Sequence, residues 1–371
     1  MRGLMKTVLH IIDTTGPGGA ETVFAELATA AAESGRGSLA LIRGPGWVMD
    51  ELQRRGIETI VLDCKGSLNI RFLLSLVSLI RRRKITLIHS HLLGSNVYAS
   101  LAGWLTRVPV ISTFHGSVDV QGRERFLAAK FGSINLGSRV VVAVTERLSR
   151  DLRERTPISA KKLQVIYNGI DTERFSLPKN RILRERLGLP DGALLVGALG
   201  NIRAAKDYMV AVQAIAILRQ RGVDVHLAIA GQGSGPLKDE LDAFCLKEGI
   251  TDRIHLLGFV DDAPMFLAGI DLFMLSSSSE GHPLAITQAM SMALPIAATL
   301  CGVEEVLQAG EDALLVEPKS PEKLADALQT LAFDKGVCER LGAQARESVL
   351  KRYSLKTMKA GYLGLYQKLE K

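Results

Sequence analysis

The stretch Gly269-Ile-Asp-Leu-Phe-Met-Leu275-Ser-Ser-Ser-Ser-Glu280-Gly-His-Pro-Leu-Ala-Ile-Thr-Gln288-Ala-Met290 decides how the rest of the chain is read. The apolar run Gly269 to Leu275 reads as a buried strand, and the small and apolar residues from Pro283 onward read as a helix. Pro283 suits the first helical turn, where a missing N–H costs nothing, and Gly281 lets the backbone turn just before it. Glu280 is thereby placed at the carboxyl end of a strand and beside a helix N-terminus. The free N–H groups and positive dipole end of that terminus suit a phosphate. A carboxylate beside an anion site fits a ligand with hydroxyls at one end and phosphate at the other, as in a nucleotide sugar. The plainer alternative is an ordinary strand–turn–helix connection with Glu280 as an N-cap.

Outward from this stretch the same alternation recurs. In the first half, strand-like runs stand at Lys6–Asp13, Leu39–Ile42, Thr59–Leu62, Thr86–His89, Val108–Thr113 and Val140–Val144. Between the earlier runs lie helical patterns at Thr22–Glu33, Trp47–Arg55 and Ile70–Arg83. The second half repeats the plan with strands at Leu194–Leu199, Val225–Ala230, Ile254–Leu257, Leu272–Leu275 and Pro295–Ala298, and a helix at Tyr208–Arg219. Strands alternating with helices predict parallel, doubly wound sheets. The Asn168-Gly169 turn marks the seam. The expected architecture is therefore α/β, with two Rossmann-like parallel-sheet domains facing across a cleft and the ligand at the strand ends between them. The first domain is expected over 1–170 and the second over 171–353.

At 371 residues the chain fits two domains of common size. The four cysteines, Cys64, Cys245, Cys301 and Cys338, lie far apart without metal-ligand spacing and read as reduced thiols. The start of the chain lacks the apolar core and cleavage site of a signal peptide. Its longest apolar helical candidate, Phe72–Ile80, is far short of the ~20 residues that cross a bilayer. A cytoplasmic location is expected. The net charge of +7 is uneven: residues 1–170 hold 23 Lys and Arg against 13 Asp and Glu, and residues 171–371 hold 23 against 26. A basic first half implies an anionic partner. Aromatic residues are few and do not alternate with basic ones, which argues against nucleic acid. A nicotinamide-cofactor domain is argued against: Gly16-x-Gly18-Gly19 lacks the third glycine, and Arg43 follows the second strand where an acid is required. No phosphate-binding Gly-x-x-x-x-Gly-Lys-Ser/Thr run is present.

The stretch from Glu280 to Gln288 resembles the donor motif of the retaining family 4 glycosyltransferases, which have the GT-B fold. The resemblance covers about residues 6 to 367. The family pattern is Glu, seven residues, Glu, and Gln288 stands here in the second acidic position. The resemblance implies that Glu280 meets donor-sugar hydroxyls and that Gln288 takes the ribose position. A neutral amide there loses charge-assisted hydrogen bonds, so weaker donor affinity is expected. Gln288 is expected on roughly the same helical face as Glu280, two turns on. Gly281, His282, Pro283 and Leu284 are expected to line the phosphate pocket, with N–H donors from His282 and Leu284. The family also has an Arg and a Lys after the first strand of the second domain. Lys206 matches the Lys. The usual Arg position is Gly200 here, and Arg203 is the candidate to replace it. Fixed cations there would stabilise charge on a departing diphosphate; a solvated surface pair is the plainer reading. Gly231, Gly233 and Val260 are expected to approach the base. In the first half, Gly18 and Gly19 resemble the loop that nears the donor phosphates, and His115 matches a His that contacts the donor sugar. His89 and His91 match a further family pattern and point the same way along a strand. With no third ligand in view and no Asp-x-Asp, metal independence is expected. His10, His226 and His255 read as packing residues, and Glu305 as a cap or support.

The implied activity is retaining transfer from a nucleotide-diphosphate sugar to a glycan or lipid-linked acceptor in cell-envelope polysaccharide or lipopolysaccharide synthesis. No catalytic base is named, since the family implies that the departing phosphate takes the acceptor proton. The C-terminal segment, 354–371, is implied to cross back to the first domain. Two other readings are a nucleotide-sugar-binding protein without transferase activity and a sugar-nucleotide epimerase of the same fold. The segment Arg71 to Lys84 has a broad apolar face and the cations Arg71, Arg81, Arg82, Arg83 and Lys84. It fits a helix lying on an anionic membrane, peripheral on the inner face of the plasma membrane. It also fits a core-packed helix whose basic end complements its dipole.

Overall fold

The computed structural model describes residues 6–63, 69–116, 120 and 126–370. It divides into two compact units, Met1–Gly169 with Lys356–Lys371, and Ile170–Leu355. Cys64 lies outside the described residues; Cys245, Cys301 and Cys338 are free thiols.

The first unit is built on seven parallel strands: β1 (Thr7–Ile12), β2 (Gly37–Ile42), β3 (Glu58–Val61), β4 (Leu87–His91), β5 (Val110–Phe114), β6 (Val140–Ala143) and β7 (Leu163–Val165). Their spatial order is β3-β2-β1-β4-β5-β6-β7. The helices that link them are α1 (Gly19–Glu33), α2 (Trp47–Arg54), α3 (Ile70–Arg82), α4 (Leu93–Thr106), α5 (Leu127–Gly137) and α6 (Glu146–Arg155). The strands hold near-continuous apolar runs because helices cover both sides of the sheet. β2 shows this residue by residue. Leu39 and Leu41 join a core with Phe72, Leu76 and Ile80 of α3 and Ala99 and Ala102 of α4. Ala40 and Ile42 join another with Phe24, Ala25 and Ala28 of α1 and Val48 and Leu52 of α2. Right-handed crossovers require this split. Strands added on the β3 side carry α1 and α2 on one face, and those added on the β7 side carry α3 to α6 on the other.

The second unit has six parallel strands: β8 (Leu194–Leu199), β9 (Val225–Ala230), β10 (Ile254–Gly258), β11 (Leu272–Leu275), β12 (Ile296–Thr299) and β13 (Leu314–Val316). Their order is β10-β9-β8-β11-β12-β13. Its helices are α7 (Ile182–Arg186), α8 (Tyr208–Gln220), α9 (Pro236–Lys247), α10 (Ala263–Ala268), α11 (Leu284–Ser291), α12 (Pro321–Phe333) and α13 (Lys335–Arg352). The strand expected from Gly269 starts at Leu272, because Gly269 closes α10.

The last helix, α14 (Leu355–Leu369), lies against the first unit from Lys356 onward. Tyr362 and Tyr366 are fully buried. The Tyr366 hydroxyl shares a 2.6 Å hydrogen bond with His89 Nδ1, and His89 Nε2 shares one of 2.9 Å with Thr113 Oγ1. Past the helix, Glu370 meets Arg36 at 3.1 Å with its own side chain closed off from solvent, and Lys359 meets Glu26 at 3.2 Å.

Spacing in sequence conceals a run of four histidines in this core. His10 and His89 are register partners on β1 and β4. The rings of His10 and His89 lie 5.8 Å apart, those of His89 and His91 4.3 Å, and those of His91 and His115 5.2 Å. Burial holds His10 neutral, down to about 3, and His115 down to about 4; His89 and His91 are also lowered by burial. Among the described residues no group of His, Cys, Asp and Glu is placed to hold a metal ion.

The sign of the pH dependence follows. A histidine neutral in the fold and ordinary near 6.5 when unfolded lets the unfolded chain bind more protons. Stability is full above about pH 6.5 and falls as pH drops toward the folded values. His10 alone should cost about 2 kcal/mol between about pH 7 and pH 5. Neither of its ring nitrogens has a hydrogen-bond partner among the described residues. His10→Leu should therefore hold stability at neutral pH and flatten the acid loss in urea unfolding curves. An unchanged pH slope would remove His10 as a source of it.

Candidate functional site

In an open parallel sheet a ligand site forms outside the carboxyl ends of the strands where the winding direction reverses. In the second unit that reversal lies between β8 and β11, since β9 and β10 are added on one side and β12 and β13 on the other. Lys206 follows β8 and Glu280 follows β11. Lys206 Nζ donates to Glu280 Oε1 at 2.7 Å, with side chains only 19% and 13% exposed. Ser277 Oγ donates to the same carboxylate oxygen at 2.7 Å.

The backbone holds the two loops together. Ser276 Oγ donates to the Lys206 carbonyl at 2.9 Å, and the Ser278 N–H to the Ala205 carbonyl at 2.8 Å. The Glu280 N–H donates to the Cys301 carbonyl beyond β12, at 2.7 Å. Burial pushes the Cys301 thiol up to about 12, so it stays protonated beside this site. Gly200 has φ +145, and a Cβ there would stand 2.8 Å from Lys206 Cε. The glycine thus leaves open the path along which the Lys206 stem runs. Tyr208 Oη donates to the Gly200 carbonyl at 2.7 Å and fixes the turn from the other side. Arg203 is exposed, precedes the 3₁₀ turn Ala204–Lys206, and has no ion pair among the described residues.

Gly231 closes the neighbouring loop after β9. A Cβ there would stand 2.0 Å from the Gly200 carbonyl oxygen, so only glycine lets the two backbones meet. Gly233 lies against Ile202 in the same way, at 2.3 Å. Val260 follows β10 and lines an apolar cavity of about 290 Å³ with Ile182, Leu257, Phe259 and Met265.

Two expectations about the Glu280 stretch need correction. α11 begins at Leu284, with Pro283 as its cap, so Glu280 is neither an N-cap nor part of the helix. The two-turn spacing between Glu280 and Gln288 therefore does not put them on one helical face. Gln288 stands alone in mid-helix, with its Oε1 shut from solvent and without a hydrogen-bond partner among the described residues. A buried unpaired carbonyl oxygen costs about 1–3 kcal/mol and is an acceptor awaiting a donor. Gly281 is partly exposed, and His282, Pro283 and Leu284 are buried. The His282 ring lies 5.2 Å from that of Tyr353. Glu305 lies in a 3₁₀ turn, where its carbonyl accepts from Tyr353 Oη at 2.8 Å; the neighbouring Glu304 carboxylate caps Gly302 N at 2.8 Å.

The first unit reverses between β1 and β4. Gly18 caps α1 after β1 in an extended conformation, and Gly19 opens the helix. His115 follows β5. Its Nε2 shares a 2.9 Å hydrogen bond with His91 Nδ1, and its own Nδ1 is shut from solvent without a partner among the described residues. Asp13, not among the residues expected in the site, follows β1 at this reversal, and burial raises its carboxyl. A lone acid at a strand end carries no spacing signal, but a strand entering a glycine-rich loop could have drawn attention to it. His226 and His255, read as packing residues, share a 3.0 Å hydrogen bond across β9 and β10.

The chain resembles known proteins over most of its length. Residues 17–174 match the family described as Glycosyltransferase Family 4, and residues 193–334 match Glycosyl transferases group 1. The chain is 26% identical over 312 residues to an alpha-D-kanosaminyltransferase of Streptomyces kanamyceticus, covering 78% of this chain and 79% of that protein. It is 26% identical over 357 residues to the lipopolysaccharide core biosynthesis glycosyltransferase LpsE of Rhizobium meliloti, covering 94% and 95%. The solved structure of Anabaena Alr3699/HepE in complex with UDP and glucose superposes with a TM-score of 0.88 at 20% identity, over 98% of this chain and 100% of that one. Two parallel-sheet α/β units with these neighbours define the GT-B fold. The chain belongs to glycosyltransferase family 4.

The close approach at Gly231 gives a direct test of the site's frame. Gly231→Ala should lower the urea-unfolding stability of the second unit by about 1–3 kcal/mol, the usual cost of overpacking. Wild-type stability would mean that the loops after β8 and β9 are not in contact.

Proposed function

We propose that the chain is a retaining glycosyltransferase that moves a sugar from a nucleotide-diphosphate sugar to a glycan or lipid-linked acceptor, in cell-envelope polysaccharide or lipopolysaccharide synthesis. The observation that carries this reading is the Lys206–Glu280 pair at the strand reversal. It brings a cation for phosphate and a carboxylate for sugar hydroxyls to one point, and each holds the other in place. A donor diphosphate would take over Lys206, with Arg203 close in sequence as a second cation. Glu280 would then accept from a sugar hydroxyl. As the bond from the anomeric carbon to the phosphate oxygen breaks, charge builds on the leaving diphosphate, and fixed cations stabilise it most in the transition state. The acceptor oxygen bonds to the anomeric carbon on the same face and gives its proton to the departing phosphate. No metal is required in this scheme.

The remaining roles follow the family. Gln288 Oε1 accepts from a ribose hydroxyl, which its buried, unpartnered state favours. Gly231, Gly233 and Val260 approach the base, and Gly281 to Leu284 approach the phosphates. Gly18 and Gly19 near the donor phosphates, and His115 contacts the sugar. The Anabaena structure holds UDP and glucose, and the Rhizobium relative is named for lipopolysaccharide core synthesis. These support a uridine nucleotide as the first donor to try and a lipid-borne glycan as the acceptor. A lipid-borne acceptor calls for peripheral contact with the inner face of the plasma membrane, for which Arg71, Arg81, Arg82, Arg83 and Lys84 supply charge.

The activity is tested by following label from UDP-, GDP- and ADP-sugars into a bacterial lipid extract, with the anomeric configuration of the product read by NMR. Transfer with retained configuration is expected. Donor binding without transfer from any donor would contradict the proposal, and an inverted product would contradict the retaining step. Lys206→Ala should lower turnover by roughly 10²- to 10³-fold while the fold is kept; wild-type turnover would remove Lys206 from the site. Gln288→Glu should tighten donor binding measured by calorimetry, because a charged acceptor makes the stronger hydrogen bond to ribose. Unchanged affinity for every donor would count against Gln288 at the ribose.

A further inference from the structure

The first unit's strand reversal holds a carboxylate to which the transfer scheme gives no role. Asp13 follows β1 and lies on the α4 side of the sheet, as Leu9 and Ile11 of the same strand do. Gly94, in the first turn of α4, makes room for it: a Cβ there would stand 2.1 Å from Asp13 Oδ2. The Ser95 N–H donates to the same carboxylate. Asp13 thus caps α4 from a neighbouring strand, since Leu92, the residue before the helix, makes no side-chain cap. Phosphates are commonly held at helix N-termini, and here Asp13 fills that position with a negative charge of the protein's own.

The turn that brings Gly94 and Ser95 against Asp13 is strained. Leu92 has φ 71 and ψ 159, a region almost confined to glycine. Its N–H donates to the Thr113 carbonyl at 3.1 Å, its carbonyl accepts from the Asn96 N–H at 2.9 Å, and its side chain packs against the core that α1 and α2 build. Strain held by several separate contacts marks a place where position matters more than stability. Asp13 itself is partly exposed. Arg43, the cation that acts on it, is paired with Asp63 at 3.6 Å, and Glu21 adds a like charge. Two further polar atoms at this edge lack partners. Thr14 Oγ1, next in the chain, and Nε2 of the fully buried His91 are shut from solvent without a hydrogen-bond partner among the described residues. His91 ends β4 as the register partner of Ile12, so it stands at the same strand edge as Asp13 and Thr14. Buried polar atoms left unpaired are exceptions that call for a hydrogen-bonding ligand or another specific cause.

We infer that Asp13 and Thr14 receive an uncharged, hydroxyl-rich sugar of the acceptor, and that phosphorylated sugars are refused there. A carboxylate accepts strongly from a sugar hydroxyl, and Thr14 Oγ1 can donate or accept as the sugar requires. A phosphate would meet Asp13 and Glu21 as like charges and would find the α4 N-terminus taken. The basic balance of the chain's first half therefore does not describe this strand reversal. The inference rests on the reading of the chain as a transferase with a glycan acceptor and adds the class of sugar that the first unit takes. Its test runs without transfer.

The full chain, with UDP in excess to fill the donor site, is titrated with the methyl glycosides of glucose, galactose, mannose and N-acetylglucosamine, and with the 6-phosphates of the same sugars. The Ser95 amide, hydrogen-bonded to Asp13, reports binding by NMR. At least one neutral glycoside should move it in a saturable way, and the matching 6-phosphate should bind on the order of tenfold more weakly. Asp13→Asn keeps an acceptor for the Ser95 N–H, so urea-unfolding stability should stay near that of the wild type while the neutral glycoside binds about tenfold more weakly. Thr14→Val should weaken it by a smaller factor, and with the wild-type panel it decides the matter if Asp13→Asn fails to fold. An unmoved Ser95 amide with every neutral glycoside, equal or tighter binding of a 6-phosphate, or wild-type affinity in both variants would overturn the inference. A chain that binds a glycoside here but transfers no sugar keeps the sugar site and loses the transferase reading; transfer to a phosphorylated sugar bound at Asp13 does the reverse.

Discussion

The ion pair between Lys206 and Glu280 is the contact on which the arrangement of the second unit's site depends. It ties two loops that leave neighbouring strands 74 residues apart in sequence. The pair has limited meaning as a source of stability, since even shielded ion pairs repay little more than their desolvation. Its meaning is positional. Ser277 shares the carboxylate, Ser276 and Ser278 hold the Lys206 loop by its carbonyls, and Gly231 lets the loop after β9 close against Gly200 at the start of that same loop. A lysine held by a carboxylate beside a strand reversal is already in place when a phosphate arrives.

Much of the architecture was legible because parallel sheets impose a simple pattern. Strands covered on both faces must be apolar throughout, and helices must separate them, so the alternation from Lys6 to Ala298 reads as two doubly wound sheets. The short strands β7 and β13, three residues each, were missed because three residues show no period. The juxtaposition of Lys206 with Glu280 follows from the same logic, as both stand just after a strand end. The relation of Glu280 to Gln288 did not follow, because counting turns presumes a helix that starts before the first residue. Here a serine-rich loop and Pro283 delay the helix until Leu284.

The histidine run was invisible for a different reason. His10, His89 and His91 belong to two strands and His115 to the loop after a third, and their meeting depends on sheet order and register. Once together they form a polar seam in an apolar core, bridged through His89 to Tyr366 of the last helix. This seam ties the C-terminal helix to the first unit and makes that attachment sensitive to acid. The segment from Arg71 to Lys84 was partly legible: its cations could be counted, but that Phe72, Leu76, Val77, Leu79 and Ile80 turn into the core, as in the core-packed of the two sequence readings, depends on how α3 packs.

The central claim is that the Lys206–Glu280 pair receives the donor, with phosphate on one side and sugar on the other. A crystal structure of the chain with an intact nucleotide-diphosphate sugar tests it most directly. The account predicts the diphosphate oxygens within hydrogen-bond distance of Lys206 Nζ and a sugar hydroxyl on the Glu280 carboxylate. A nucleotide sugar bound with both side chains still paired to each other and out of contact with it would contradict the account.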